Sequence, residues 1–408
     1  MNCRFCNTEL KHVFVDLGMS PLANSYLNAD EISRMEAFYP LRAFVSSECF
    51  LVQLEEFESP ENIFSKYAYF SSYSHTWLKH IEKYVNMTIT RFGLDQRSQV
   101  IEIASNDGYL LQHFRKRNIP ILGIEPAANV AKVAQEKGIP TIIKFFGAAT
   151  ARDLVSEGNQ ADLLIAVNVM PHVPNLNDFI VGMKILLKSQ GVITVQFSAY
   201  MLQLIQQCEF DMIYHEHFSY FSLLAVSKIF SSHGLTIFDV EELPIHGGSL
   251  RIYARHTENT TLPVKQNVNN LMQKEKLLGL VTMSTYENFS KRINAAKLDI
   301  WKFFIESKEK NKKIVCYGAP AKGNTLLNYC GIDREMVEYT VDISPHKQGL
   351  FLPGTHIPIK SPEKIRETKP DYLVILAWNL KEEIMEQMDY IREWGGKFVV
   401  LIPKVKIQ

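Results

Sequence analysis

From Gln99 onward the chain alternates short apolar runs with amphipathic segments, and this rhythm restricts the available folds more than any other feature. The apolar runs are Val100–Ile103, Ile121–Ile124, Thr141–Phe145, Leu163–Val167 and Val192–Phe197. Between them lie segments of helical period, such as Tyr109–Lys116, Ala127–Lys137 and Leu176–Lys188. Parallel strands need a crossover of a dozen or so residues, so this spacing predicts βαβ units and an α/β, doubly wound parallel sheet. Leu235–Leu243 and Gly248–Arg255 are split by Pro-Ile-His-Gly and predict an antiparallel pair at the sheet edge.

The rest of the chain groups around this block. Residues 1 to about 60 look loop-rich, with an apolar run near Phe50–Leu54, so this small unit needs a metal or docking onto its neighbours. Residues 61–95 read as helical and end near Gly93; 265–312 is polar and also helical in period. A second α/β pattern follows, with strands at Lys313–Tyr317, Tyr339–Asp342, Tyr372–Leu376 and Lys397–Ile402. A length of 408 residues exceeds what one core serves, which fits two or three domains.

Charge and cysteine usage exclude several classes. The 44 basic and 44 acidic residues balance, which argues against a nucleic-acid or anionic-membrane partner. No basic-then-apolar leader is read at the start, and no apolar run is long enough to span a bilayer. Six cysteines are too sparse for a disulfide framework, so a cytoplasmic protein with reduced thiols is expected. Cys3-x-x-Cys6 has the spacing of half a structural zinc site.

In an open parallel sheet, ligands bind beyond the carboxyl ends of the strands. Ala104-Ser105-Asn106-Asp107-Gly108 holds that place after the first strand, where Gly108 permits a tight turn and its neighbours supply polar groups. Glu125 closes the second strand, about 20 residues on, where an acid suits a ribose diol. No Gly-x-Gly-x-x-Gly is present, which disfavours a dinucleotide and favours S-adenosylmethionine. Further on, Tyr214-His215-Glu216-His217 sets four proton-handling or polar groups side by side. In a strand, Tyr214 and Glu216 would face one way and the histidines the other, so one pair would be packing. A metal reading of His215 and His217 lacks the helical His-x-x-x-His spacing. Gly318-Ala-Pro-Ala-Lys322-Gly-Asn324 follows a strand and opens a helix, a place for a phosphate beside Lys322. Asp342, ending the next strand, is a candidate contact to a sugar or base; the alternative makes all of these turn and cap residues.

Several long segments together carry a resemblance. Leu22-Ala-Asn24, Glu102-Ile-Ala-Ser-Asn-Asp-Gly-Tyr-Leu-Leu111, Asn168-Val-Met-Pro-His-Val-Pro174, Tyr214–His217, His246-Gly-Gly-Ser-Leu250 and Tyr317–Asn324 occur in order over nearly the whole chain. It resembles the S-adenosylmethionine-dependent sugar C-methyltransferases of deoxysugar biosynthesis. The resemblance implies methylation of the carbon beside the ketone of a nucleotide-linked 4-keto-6-deoxysugar, usually carbon 3 of a dTDP-sugar. It also implies three parts: a zinc-binding unit over 1–60, a class I methyltransferase, Rossmann-like domain over 61–260, and a helical connector with a Rossmann-like α/β domain for the nucleotide sugar over 261–408.

By that resemblance His217 is the general base, Tyr214 and Glu216 orient it or bind substrate, and His172 stands by the enolate or the sugar. Taken alone, His172 would be a satisfied loop histidine. Asn168 joins the turn residues at the cofactor; Lys322, Asn324 and Asp342 fall to the substrate. A donor is needed where the enolate gains charge, and Tyr69, in the aromatic run Tyr67–Tyr73, is a candidate. The family's second Cys-x-x-Cys appears here as Ser46-Ser-Glu-Cys49, leaving Cys3, Cys6 and Cys49. Water or His12 would complete a zinc site, or the metal is weak or lost. Gln196-Phe-Ser198 departs from the acid and proline often found there. The competing readings are methyl transfer to oxygen or nitrogen of a small metabolite, and a zinc-ribbon nucleic-acid binder, which the balanced charge disfavours.

Overall fold

The computed structural model describes residues 1–64, 71–73 and 75–408, so Tyr69 lies outside the described residues. Its centre is a seven-stranded sheet in the order Leu235–Leu243, Ser249–His256, Leu187–Phe197, Ala161–Val167, Val100–Ile103, Ile121–Ile124, Thr141–Ile142. Pairing is parallel from Leu187–Phe197 through Thr141–Ile142, while Ser249–His256 runs antiparallel to both its neighbours. Val100–Ile103 is buried at every position because helices cover both faces, which is why its sequence reads as an unbroken apolar run apart from Glu102.

Two boundaries differ from expectation. The strand over Thr141–Phe145 stops at Ile142, because Lys144, Phe145 and Phe146 turn aside to line a cavity. The helix expected to reach Lys188 ends at Leu186, and the next strand begins at once, at Leu187.

The loop-rich reading of the amino-terminal segment is corrected. His12–Ser20, Tyr39–Val45 and Val52–Leu54 form an antiparallel sheet, and its fourth strand is Ser219–Tyr220, from the middle of the chain. Register shifts between Val13 and Val15 and between Asp16 and Met19 break the alternation that would have announced the first strand. Helix Phe289–Glu309 packs against this sheet, with the Phe289 ring stacked 4.8 Å from Phe14.

The carboxyl-terminal sheet has the order Ile359–Lys360, Thr340–Val341, Ile314–Tyr317, Tyr372–Ile375, Lys397–Val400, Lys406–Ile407. All pairings but the last are parallel. This body is tied to the central one where Trp378 lies against Gly247 and its indole N–H donates to Asp211 Oδ2 at 2.6 Å. Among the described residues no helix is long and apolar enough to cross a membrane.

Gly247 has φ +91°, and a Cβ there would sit 2.4 Å from Trp378 Cη2. Gly247→Ala should therefore lower stability by roughly 1–3 kcal/mol in urea unfolding, from backbone strain and the displaced indole.

Candidate active site

The carboxyl ends of the central strands open onto a cavity of about 510 Å³. Ile103–Ala104, Ile124–Glu125, Val167–Asn168 and Ser198 form its floor, the position at which open parallel sheets bind ligands. The Tyr214–His217 segment forms one wall, and Pro320–Lys322, Lys347 and Asn379 from the carboxyl-terminal body form another.

The turn after the first strand needs an unusual backbone: Ala104, Asn106 and Gly108 have φ of 55°, 49° and 77°. Such conformations persist where surroundings over-determine them, here through Glu125. The Glu125 carboxylate accepts from the backbone N–H of Asn106 at 2.9 Å and of Ala127 at 2.8 Å, so the acid braces the turn it faces. Burial raises its pKa, with those two donors opposing. Both Ala104 and Asn106 line the cavity with Glu125, whereas Ser105, Asp107 and Gly108 do not. Ser105 lies beneath Gly123, Asp107 pairs with Lys137 at 3.1 Å, and a Cβ on Gly108 would meet Ile139 at 2.8 Å. The glycine is thus required by core packing and by its φ rather than by ligand approach. Asn168 holds the next corner: its Oδ1 accepts from the Ser198 N–H at 3.1 Å.

Alternation does not apply to the Tyr214–His217 segment, because it is a turn closed by a His217 N–H to Tyr214 C=O bond of 2.9 Å. Three of its four side chains, Tyr214, Glu216 and His217, reach the cavity together. Only His215 turns away, donating to the Pro40 carbonyl at 3.2 Å among the rings of Tyr39 and Phe57. A shared metal site for His215 and His217 is thereby ruled out. His217 Nδ1 lies 3.1 Å from the Met212 carbonyl oxygen, which can only accept, so Nδ1 carries the hydrogen. Nε2 then holds the lone pair and accepts from the Tyr214 hydroxyl at 2.8 Å. Burial, with His172 nearby, keeps the His217 pKa well below its usual value. His172 donates from Nδ1 to the Glu216 carbonyl at 2.7 Å, meets His217 edge-on at 4.8 Å, and is lowered to about 4 by burial. Both rings are neutral at pH 7.

On the third wall, Lys322 sits in the first turn of helix Ala321–Cys330 and lines the cavity. Its ammonium donates to Asn379 Oδ1 and lies 4.2 Å above the Trp378 ring. Burial lowers it to about 8, against the pull of Asp211 and Glu209. Two expected substrate contacts are elsewhere. Asn324 donates to the Ala23 carbonyl at 2.6 Å, and Asp342 accepts from the N–H of Ala319 and of Ser344 at 2.8 Å each. Neither lines the cavity; both fasten backbone around it. Lys144, Lys347 and Asn379 were missed. Asn379 follows the end of strand Tyr372–Ile375, a place that strand-end logic could have marked; the two lysines carry no spacing signal.

At the far end of the amino-terminal sheet, Cys49 Sγ lies 3.5 Å from Cys3 Sγ and 3.4 Å from Cys6 Sγ. Tetrahedral zinc with bonds near 2.3 Å sets sulfurs about 3.8 Å apart, so the cluster fits the metal closely. The Ser46 hydroxyl lies 3.4 Å from Cys6 Sγ and accepts the N–H of Glu48 and Cys49 at 3.3 Å each. His12 instead approaches Glu287 at 4.0 Å and does not join the thiols. Gln53 Nε2 donates to Cys3 Sγ at 3.2 Å, a brace typical around metal thiolates. Zinc here would cross-link turns 46 positions apart in sequence, beside the amino-terminal sheet. Protein purified without chelator should carry about one zinc per chain, and Cys49→Ala should lose it and lower Tm; a metal-free wild type would reject the site.

Residues 3–64 match the family model described as "Putative zinc binding domain", 77–240 "Methyltransferase domain" and 244–403 "C-methyltransferase C-terminal domain". The chain is 32% identical over 405 residues to the C-methyltransferase NovU of Streptomyces niveus, covering 99% of this chain and 96% of that one. Solved structures with a related shape include the PH0226 protein of Pyrococcus horikoshii OT3, at 14% identity and a TM-score of 0.38, covering 49% of this chain and 99% of that one. Another is the magnesium protoporphyrin IX methyltransferase of Synechocystis PCC 6803 with bound SAM, at 14% identity and a TM-score of 0.33, covering 43% and 78%. With the strand order, the strand-end cavity and a full-length relative in agreement, the chain belongs to the S-adenosylmethionine-dependent C-methyltransferases that carry an amino-terminal zinc-binding and a carboxyl-terminal C-methyltransferase domain.

Proposed function

We propose that the protein methylates the carbon beside the ketone of a nucleotide-linked 4-keto-6-deoxysugar, carbon 3 of a dTDP-sugar, in branched deoxysugar biosynthesis. The observation that carries this reading is the fixed tautomer of His217, a neutral imidazole with its lone pair on Nε2 inside the cavity. A carbon nucleophile requires a base, and a neutral imidazole can take a proton from C–H made acidic by an adjacent carbonyl. S-adenosylmethionine, when bound, supplies an electrophilic sulfonium methyl for that carbon.

Ala104, Asn106, Glu125 and Asn168 are the residues of this chain that would hold the methyl donor, with Glu125 retaining acceptor capacity for a ribose diol. As Nε2 takes the substrate proton, the Tyr214 hydroxyl is released and can donate to the oxygen that gains charge. His172, edge-on to His217 and itself kept neutral by burial, holds the Glu216 carbonyl beside the base. Lys322 and the first turn of its helix face the cavity where a diphosphate would lie, with Lys347 a second cation on the same wall. In this reading residues 61–260 hold the donor and base, 261–408 hold the nucleotide, and 1–60 complete the wall.

Incubation with labelled methyl donor and a panel of 4-ketosugar nucleotides, with products placed by mass and NMR, tests the reading. His217→Asn should abolish both methylation and exchange of the substrate α-proton into deuterated water while leaving donor binding intact; exchange at the wild-type rate would remove His217 as the base. Because the His217 pKa is depressed, its base form persists as pH falls through 6.5, so the acid limb of kcat/KM should lie below that value. A limb at or above pH 6.5 would point to another base. Lys322→Ala should raise KM by about tenfold or more with a smaller change in kcat, and an unchanged KM would count against the diphosphate placement.

A further inference from the structure

The three walls of the cavity come from distant parts of the chain, and one polar path joins them. Asn24 Nδ2 donates to Glu216 Oε1 at 2.6 Å, across 192 positions of sequence. The Asn24 Oδ1 faces the Tyr26 hydroxyl at 3.2 Å, and that hydroxyl makes a shorter bond, 2.6 Å, to the Ala319 carbonyl. Lys347 Nζ donates to the same carbonyl at 2.7 Å and lies 5.0 Å above the Tyr26 ring. Asn24, Glu216 and Lys347 all line the cavity.

We propose that Asn24 is a positioning residue for methyl transfer: its amide fixes the Glu216 carboxylate and ties it to the carboxyl-terminal wall through Tyr26. An amide suits the place because it donates to the carboxylate and leaves its oxygen against the Tyr26 hydroxyl while carrying no charge or proton to lose. Aspartate would set two carboxylates against each other, and alanine would remove the donor. The consequence reaches the base. The Glu216 carbonyl accepts from His172, and His217 is the next residue, so a displaced Glu216 moves both rings. No spacing rule links Asn24 to Glu216; the contact exists because the Leu22–Leu27 strap runs between the catalytic turn and helix Ala321–Cys330, held there by Asn324 on Ala23 and by the Leu27–Phe351 bridge.

The inference rests on the role given to the Glu216–His217 pair above, and its test has an arm that needs no substrate. N24A should reduce kcat by about tenfold to hundredfold, the worth of a hydrogen bond to a charged group, with donor binding unchanged. N24D should be as impaired as N24A near pH 8. It should recover toward wild type near pH 6, where a proton held between the two carboxyl groups restores a donor. The other titratable groups around Glu216, namely Tyr26, His172, Tyr214, His217 and Lys347, are common to both variants and cancel in the comparison. Without substrate, the Tm of N24D relative to N24A should fall as pH rises, since the shared proton is bound more tightly in the folded state, and E216Q should abolish that fall. Superimposable N24D and N24A profiles in Tm, or an N24A enzyme with full kcat, would overturn the proposal. A wild type that methylates none of the sugars overturns the proposed function alone, and the thermal arm still decides whether Asn24 holds Glu216.

Discussion

The site depends on a pairing of two residues with two: Val52 with Tyr220 and Gln53 with Ser219. The backbone N–H of Leu54 extends this join to the Phe218 carbonyl at 3.0 Å, and the Arg4 guanidinium covers the Phe218 ring at 5.3 Å. An irregular buried segment such as Tyr214–Phe218 must find partners for its backbone groups outside any ladder of its own. Here the amino-terminal sheet takes the Phe218 carbonyl, His172 the Glu216 carbonyl, and the turn's own His217 N–H the Tyr214 carbonyl. The thiol cluster sits in turns beside that sheet, and Gln53 joins the two by pairing with Ser219 and donating to Cys3. Thiol cluster, sheet and the Tyr214–Phe218 turn are therefore joined, although their residues lie far apart in sequence.

Burial then sets the chemistry. His172, His215, His217 and His246 are all pushed toward the neutral form, chiefly by desolvation. Glu209 is raised to about 8 for the same reason, and its neighbour Asp211 is raised as well. This acidic pair favours the charged form of Lys322, which is held by the Trp378 face and Asn379. The cavity thus brings the neutral imidazoles of His172 and His217 and the cationic side chains of Lys322 and Lys347 to one space, without a net charge on the chain. The combination comes from which elements meet there.

Much of the fold was legible because the relevant forces are local. The runs at Val100, Ile121, Leu163 and Val192 are strands since a doubly covered sheet demands continuous apolar segments. The antiparallel edge pair was marked by its turn residues. The amino-terminal sheet was not legible: two register shifts hide its long strand, and its last strand belongs to a different region. At the site, Glu125, Asn168, His172, Tyr214, Glu216, His217 and Lys322 do converge on one cavity. Asn324 and Asp342 do not, since polar residues at strand and helix ends serve equally well to hold backbone, and spacing cannot tell the two uses apart.

What the sequence determined alone was the alternation of strands and helices in the central and carboxyl-terminal sheets, the turn at Ala104–Gly108, and the residue types available for proton transfer and thiol ligation. Those follow from periodicity and side-chain chemistry, which act over a few neighbours. Only the tertiary structure decided that His215 faces away, that His217 keeps its lone pair on Nε2, and that Asn24 meets Glu216. Each of these is set by a partner more than a turn away in space or sequence, and a hydrogen bond of that kind leaves no periodic trace in the chain.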